Sequence, residues 1–244
     1  DSSVTGVQTC ALPISDRLLR VFNEVILHKK VASGGRKSAG IMHAFVMYGF
    51  IFFGLITINH FFMAFGIHFF SETFRFWYFR LFGGPWAFLC SFGILGLAYR
   101  RFVLKPKALG KFSATSGVVT IFIVTLMVTY LIDETHLLKS PMALKVNWWL
   151  HSGVIGGFLF LIPKSKHMHL VLSPFNIFLR PFEIPHHQAV PIDLEASEEE
   201  LDNLLLDLSR LSKDQALDIF TCVECGRCTD VCPANRGGGI LDPK

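Results

Sequence analysis

Long apolar runs, separated by short charged connections, dominate the chain between residues 37 and 164. Four of them are almost free of charged residues and lie at about 41–62, 81–100, 112–132 and 146–163. Each is close to the ~20 residues that an α-helix needs to cross the hydrocarbon core. None shows the strict alternation of a membrane barrel strand. The pattern therefore predicts four transmembrane helices.

Lysine and arginine are concentrated in alternate connections between these runs. Residues 16–39, residues 100–111 and the chain from 164 onward are rich in them, and the other two connections carry few. Cytoplasmic connections of membrane proteins are enriched in Lys and Arg. The distribution predicts that the three basic segments face the cytoplasm.

The chain outside the apolar runs divides by composition. Residues 4–14 read VTGVQTCALPI, which looks like a translated sequencing adapter, with a short natural segment as the alternative. Several Pro residues indicate an extended linker, and Ser197 with Glu200 forms a capping box that opens a Leu-rich packing helix. The predicted divisions are an artefact at 1–15, a cytoplasmic loop at 16–39, a transmembrane domain at 40–170, a linker at 171–196 and an iron–sulfur domain at 197–244.

The composition supports a membrane protein. Hydrophobic residues make up 51% of the 244 residues and charged residues only 17%, against about 25% charged in soluble domains. The net charge of +4 is too small for a nucleic-acid-binding protein. Of the six Cys, four lie between residues 222 and 232, which is unlike a secreted disulfide framework and indicates metal binding in a reducing compartment.

The clustered cysteines have the spacing C-x2-C-x2-C-x3-C-P, which is typical of bacterial ferredoxin-type [4Fe–4S] clusters. The predicted ligands are Cys222, Cys225, Cys228 and Cys232, with Gly226 allowing the tight loop. A zinc site is the alternative, because Cys₄ zinc sites also use C-x2-C pairs.

In two-cluster ferredoxins the fourth Cys of such a run binds the other cluster. By that rule Cys222, Cys225 and Cys228 would hold one cluster and Cys232 would serve a second. Cys90 lies within an apolar run and Cys10 within the suspected artefact, so neither completes the set. We therefore expect this fragment alone to complete neither cluster.

Histidines in or beside the apolar runs are candidate axial ligands of b-type haem. His151 and His169 are eighteen residues apart, so in one uninterrupted helix they would share a face and stand about 27 Å apart. Pro163 lies between them and would weaken this argument by kinking the helix.

The first apolar run supplies the partners. By depth, His43 pairs with His169 on the cytoplasmic side and His60 with His151 on the outer side, although His60 lies about 100° off the face of His43. His167 competes with His169. Three further His, in polar segments, are expected to be solvated: His28, His186 and His187. Glycines in the first and last runs either make room for porphyrin or pack helices closely.

These motifs resemble two known groups of proteins. The runs, with PKSKHMH (163–169) closing the last, are similar to the nitrate reductase gamma-subunit type of cytochrome b. In that family an early and the last helix supply bis-His ligands to two haems. The fusion to CVECGRCTDVCPA (222–234) resembles membrane-bound heterodisulfide-reductase-like iron–sulfur proteins. The early helix of the family carries its two His closer together, and its first helix and CCG domains have no counterpart here.

The resemblance implies an all-α membrane bundle of the cytochrome b type, followed by the start of an α-helical ferredoxin-type domain. It implies an oxidoreductase that passes electrons between menaquinone or another quinone and a cytoplasmic partner, such as an electron-transfer flavoprotein or a reductase subunit. Its cofactors would be [4Fe–4S] clusters and one or two haems b. Its location would be a bacterial or archaeal cytoplasmic membrane, with the iron–sulfur domain in the cytoplasm and no nucleic-acid partner.

Two other functions are compatible with the sequence. A haem-free anchor would use the spans only to tether a ferredoxin-type domain. A transporter with an appended cluster is disfavoured, because the spans contain no buried carboxylates. Asp133, Glu134 and His136 lie at the outer end of the third run, where they either handle quinone protons or form an exposed polar cap.

Overall fold

The computed structural model describes residues 14–31, 36–110, 112–180 and 213–239. Within these ranges the regular structure is entirely helical, which confirms the all-α prediction for this part of the chain. The helices are α1 (Ile14–Val21), α2 (Lys37–Met63), α3 (Glu72–Tyr78), α4 (Gly84–Tyr99), α5 (Ala114–Glu134), α6 (Pro141–Leu161), α7 (His169–Leu179), α8 (Lys213–Thr221), α9 (Arg227–Val231) and α10 (Pro233–Arg236).

The chain divides into two compact units. The first unit comprises Asp1–Lys29 and Lys166–Val223, and the second comprises Lys30–Ser165 and Glu224–Lys244. The second unit therefore contains α2 to α6 together with the last part of the chain. The iron–sulfur domain predicted at 197–244 falls across this division, between Val223 and Glu224.

Three helical stretches are long and apolar enough to cross a membrane: Lys37–Met63, Phe76–Leu104 and Ala114–Glu134. The middle stretch joins α4 to the π-helical turns on either side, Phe79–Gly83 and Arg100–Leu104. A fourth span exists if Pro141–Leu161 and Lys166–Leu179 are counted as one broken span. The predicted four transmembrane helices are therefore found only if this broken pair is counted as one span.

The sequence predicted the fourth span at 146–163 with Pro163 weakening its continuity, and the helix is interrupted at this point. The α-helix ends at Leu161, a 3₁₀ turn follows at Lys166–Met168, and a separate helix begins at His169. Pro163 has no backbone N–H to donate and its ring clashes with the preceding turn. The inference that His151 and His169 share one face of a single helix is therefore wrong. Helix α7 also occupies the first part of the predicted linker.

Small residues bring the helices of the second unit together. A Cβ on Gly49 of α2 would lie 2.9 Å from the Cys90 Sγ, and one on Gly93 of α4 would lie 2.5 Å from the Met42 carbonyl oxygen. Such close approach is typical of membrane helices, which associate by packing rather than by a hydrophobic driving force. The core between α4 and α5 contains Ala87, Cys90 and Met127.

The outer face of α4 is more apolar than a soluble helix would permit. Phe88, Phe92 and Leu95 are 66%, 60% and 52% exposed, while the buried positions between them include the small residues Ala87 and Cys90. A soluble protein buries its large apolar side chains, so this arrangement fits a helix whose outer face meets lipid. The exposed apolar face of α4 is consistent with membrane association.

The first unit joins α1, α7 and α8. The Arg180 guanidinium pairs with the Glu24 carboxylate at 2.6 Å, which connects the end of α7 to the segment after α1. The Asn176 side-chain amide donates to the Asp218 carboxylate and to the Thr221 hydroxyl, each at 2.8 Å. These bonds fix α8, the helix that leads into the cysteine run, on α7.

His28 is buried, so the prediction that it is solvated is wrong. Its side chain is 6% exposed, and its Nδ1 lies 3.2 Å from the Val25 carbonyl oxygen, to which the N–H donates. Burial lowers the pKa of His28. The polar sequence around His28 could not show that its side chain is buried.

Several predicted features lie outside the described residues. They are the suspected artefact up to residue 13, with Cys10, and most of the linker, with His186 and His187. The capping box at Ser197 and Glu200 also lies outside them.

Candidate functional site

The cysteine run follows α8 directly. Cys222 is the first residue after α8, Cys228 lies in α9, and Cys232 precedes α10, whose first residue is Pro233. All four are free thiols, and Cys222, Cys225 and Cys228 are exposed. Among the described residues no three His, Cys, Asp or Glu side chains are gathered in the manner of metal ligands. The structure of the run is therefore described below by the path of its backbone and by the contacts of its loop.

The loop of residues 224–232, here called the cysteine loop, turns at two positions with left-handed backbone. Glu224 has φ 51° and Gly226 has φ 73°. Gly226 also touches the 3₁₀ turn Lys107–Leu109, because a Cβ built on it would lie 1.9 Å from the Ala108 carbonyl oxygen. The sequence predicted a glycine for the tight turn, and the structure adds a close contact that only glycine permits.

Arginine side chains hold the cysteine loop at both ends. The Arg36 guanidinium donates to the Cys225 carbonyl at 2.5 Å and to the Gly226 carbonyl at 3.2 Å, and it also pairs with the Asp230 carboxylate. In return, the Arg227 guanidinium donates to the carbonyl oxygens of residues 30 and 31 at 2.7 and 3.0 Å. Sequence analysis counted Arg36 only as one of many positive charges, and no sequence signal indicates these long-range contacts.

His151 lies ten residues into α6, and its orientation is fixed by Thr129 of α5. The Thr129 Oγ1 lies 2.7 Å from the His151 Nδ1 and 2.7 Å from the Thr125 carbonyl oxygen. A hydroxyl has one hydrogen, which Thr129 can donate either to the Thr125 carbonyl or to the His151 Nδ1. In the first case, the His151 Nδ1–H donates to Thr129. This tautomer leaves a lone pair on Nε2, the atom that could ligate a metal.

His60 and His151 both lie in the second unit, on α2 and α6. The closest helix packing in the described part of this unit connects α2 to α4, α4 to α5, and α5 to α6. The two histidines thus belong to the first and last helices of this series.

Three glycines on α2 and α6 have open space beside them. A Cβ added to Gly54, Gly153 or Gly156 would meet no atom within 4 Å, whereas one added to Gly157 would lie 2.8 Å from the Phe122 ring. Of the two interpretations of these glycines, close packing therefore applies to Gly157. The other three have room beside them, as a large planar ligand would require.

The second predicted pair is divided between the units. His43 is in α2 of the second unit, while His169 begins α7 in the first unit. The His169 Nδ1–H donates to the Lys166 carbonyl at 2.8 Å. The His167 and His169 ring centroids are 6.1 Å apart, so both remain candidates.

The polar group at the end of α5 is exposed. Asp133, Glu134 and His136 all lie at the surface of the structure. This arrangement agrees with a polar cap.

Two curated proteins are similar to this chain. The probable iron–sulfur-binding oxidoreductase FadF of Bacillus subtilis (strain 168) is 31% identical, over 59% of this chain and 24% of its own length. The EtfAB:quinone oxidoreductase of Syntrophomonas wolfei is 24% identical, over 64% of this chain and 26% of its own length. Both are named oxidoreductases, and this chain spans about a quarter of each.

The other comparisons provide no further assignment. No family model matches the chain, and no solved structure matches it.

Proposed function

We propose that this chain is part of a membrane-bound oxidoreductase that transfers electrons between a quinone pool and a cytoplasmic redox partner. The observation that carries the proposal is the C-x2-C-x2-C-x3-C-P run beside helices suited to a membrane. The names of the two relatives, an iron–sulfur-binding oxidoreductase and an EtfAB:quinone oxidoreductase, support the same reaction class. An electron-transfer flavoprotein is the proposed partner.

The cysteine run fits an iron–sulfur cluster by its donor set. Four free thiols follow one another at ferredoxin spacing, and Gly226 and Pro233 set the backbone at the turns. Cys222, Cys225 and Cys228 would hold one cluster, and Cys232 would serve a second. When bound, such clusters would accept and donate one electron at a time. The chain contributes the thiolates and a loop that is anchored on the second unit.

His151 is a proposed haem ligand, with His60 as its proposed partner. With the His151 Nδ1–H donated to Thr129, its Nε2 would be available as a ligand, and Gly54, Gly153 and Gly156 have open space beside them. His43 and His169 are the proposed ligands of a second haem. A haem would supply a one-electron carrier within the membrane. Asp133, Glu134 and His136 are placed to exchange quinone protons with the outer aqueous phase.

The proposed orientation places the cysteine loop on the cytoplasmic side of the membrane. The basic segments 16–39 and 100–111 would face the cytoplasm by the positive-inside rule. The cysteine loop contacts residues 30, 31, 36 and 108, all within those segments. The clusters would therefore receive or deliver electrons on the cytoplasmic side, where a soluble flavoprotein has access to them.

Redox spectroscopy of membranes carrying the protein, expressed from its complete reading frame, tests the proposal. Reduced-minus-oxidised spectra are expected to show b-type haem bands, and low-temperature EPR a [4Fe–4S] signal. His151→Ala should reduce the haem bands, and Cys225→Ser should reduce the cluster signal but leave the haem bands. His68→Ala is the matched control, because His68 is an exposed residue outside α2.

The outcomes separate the alternatives. Membranes with the cluster signal but no b-type bands would identify a haem-free anchor. Haem bands that are unchanged in His151→Ala would remove His151 from the ligand set. An EPR signal that is unchanged in Cys225→Ser would contradict the assignment of the cysteine run.

A further inference from the structure

Arg36 stands where the cysteine loop meets the first membrane helix. It is the residue before α2, and its side chain is only 18% exposed although it is charged. Within the described residues, its side chain donates to three groups of the cysteine loop: two consecutive peptide carbonyls and the Asp230 carboxylate. A planar guanidinium with several fixed donors suits such a fork of acceptors better than a lysine would.

Two further contacts hold the same loop on the same unit. Arg227 donates to the backbone of residues 30 and 31, and Gly226 lies against the Ala108 carbonyl. The loop is thus attached to the segment before α2 and to the turn between α4 and α5. Together with the contacts of Arg36, they hold the loop at residues 225–227 and at Asp230.

The loop is in contact with a fixed positive charge, the Arg36 guanidinium. Such a charge favours an anion beside it. The Asp230 carboxylate supplies one negative charge, and cysteine thiolates around a cluster would supply more.

We propose that Arg36 is a positioning residue that docks the cysteine loop at the start of α2 and raises the reduction potential of the cluster bound there. The inference rests on the proposed function. A reduced cluster carries one more negative charge than an oxidised one, so a nearby fixed cation favours the reduced form. Hydrogen bonds and net charge around the cluster are established determinants of its potential.

The docking also brings the cluster-binding loop to the helix that carries a candidate haem ligand. His43 lies seven residues after Arg36, which is about two turns or roughly 10 Å along α2. Arg36, His43 and Cys225 all belong to the second unit. Electrons would therefore pass between the cysteine loop and the membrane at the N-terminal end of α2.

The docking itself can be tested without a cluster. A photoactivatable benzophenone residue at position 107, in the turn that Gly226 contacts, should cross-link to peptides of residues 224–231 in the complete protein, with or without iron. Arg36→Gln should reduce the yield by about tenfold, the scale set by losing a charge-assisted hydrogen bond. Lys37→Gln removes the same charge from the exposed neighbour and should leave the yield unchanged.

The effect on potential is measured by an EPR-monitored redox titration of the same variants. Arg36→Gln should lower the midpoint potential, Arg36→Lys should give an intermediate value, and Lys37→Gln should match the parent protein. An unchanged midpoint in Arg36→Gln would contradict the electrostatic role. An equal shift of the midpoint potential in Lys37→Gln would show that the total charge of the basic segment, and not Arg36 itself, sets the potential. This result would also overturn the proposal.

The two measurements separate this inference from the proposed function. If the parent protein shows no cluster signal, the proposed function fails, and the cross-linking yield still decides whether Arg36 docks the loop. If the cluster is present but Arg36→Gln cross-links as well as the parent does, the docking role is wrong and the proposed function stands. Arg36→Lys, which keeps the charge, distinguishes loss of docking from loss of folding.

Discussion

The second unit holds its two candidate cofactor regions by opposite means. The cysteine loop is attached by guanidinium groups, by the Asp230 carboxylate and by one glycine contact, and its thiols are exposed. His151 is held between apolar helices by a chain of neutral hydrogen bonds through Thr129. One region depends on charge at a water-accessible surface, and the other depends on packing and a single hydroxyl.

The difference suits the surroundings of each region. A cluster that exchanges electrons with a soluble protein needs an exposed loop, and charged contacts can fix such a loop without burying it. A ligand inside the membrane is surrounded by few polar groups, so one hydroxyl can determine its tautomer. We therefore expect the two regions to respond to different substitutions.

The largest effect is expected from Gly226→Ala. Its Cβ would lie 1.9 Å from the Ala108 carbonyl oxygen at a φ of 73°, so the loop must leave its position. We expect loss of most cluster-bound iron, measured by iron analysis and visible absorbance, and unchanged haem bands.

Gly238→Ala is the control for backbone strain alone. Gly238 has a φ of 89° but open space beside it. The substitution should cost about 1–2 kcal/mol, the price of a left-handed alanine, and should leave the iron in place. Equal iron loss in both variants would show that strain, rather than contact with Ala108, is responsible.

The next largest effect is expected at the packing of α2 on α4. A Cβ on Gly93 would meet the Met42 carbonyl at 2.5 Å, and a backbone atom cannot move aside as a side chain can. Gly93→Ala should destabilise the unit by about 1–3 kcal/mol, as overpacking does. Thermal unfolding in detergent measures this, and Gly54→Ala, which has open space, should unfold like the parent protein.

A more local effect is expected from Thr129→Val. It removes the hydrogen-bond partner of the His151 Nδ1 and leaves the shape of the side chain. Loss of such a partner to a metal-binding histidine typically weakens metal binding about 10- to 100-fold, so haem should dissociate more readily. Thr120→Val is the matched control, because Thr120 also donates to the carbonyl four residues earlier. Equal haem retention in both variants would contradict the role of Thr129.

The smallest effect is expected from Asp230→Asn. Asp230 is the more exposed partner of the Arg36 pair, with a side chain that is 42% exposed. Pairs of this kind contribute about 0–1 kcal/mol and are screened by salt. The cross-linking yield from position 107 should fall modestly, and less so in high salt. A loss as large as that of Arg36→Gln would mean that the carboxylate, not the carbonyl pair, holds the loop.

The apolar runs predicted the membrane helices because length and hydropathy are local properties. The structure places α2 at Lys37–Met63 and α5 at Ala114–Glu134, within a few residues of the predicted 41–62 and 112–132. The fourth run was predicted at 146–163, and α6 occupies Pro141–Leu161. Pro163 indicates a break, but hydropathy cannot show that a separate helix begins at His169.

The site could be predicted only where residues close in sequence form it. The cysteine spacing is such a pattern, and it remains a prediction of ligands. Contacts between distant residues leave no such pattern, which is why Arg36 was counted only as a charge and Thr129 was not identified as a partner of His151. The burial of His28 was missed for the same reason.

We propose that electrons pass between quinone and the cysteine-bound clusters through haem ligated by His151. The most direct measurement starts from membranes with fully reduced clusters, adds a menaquinone analogue and follows the EPR signal of the clusters by rapid freezing. Reoxidation should be fast in the parent protein and in His68→Ala, and slow in His151→Ala. Reoxidation that is equally fast in His151→Ala would contradict it.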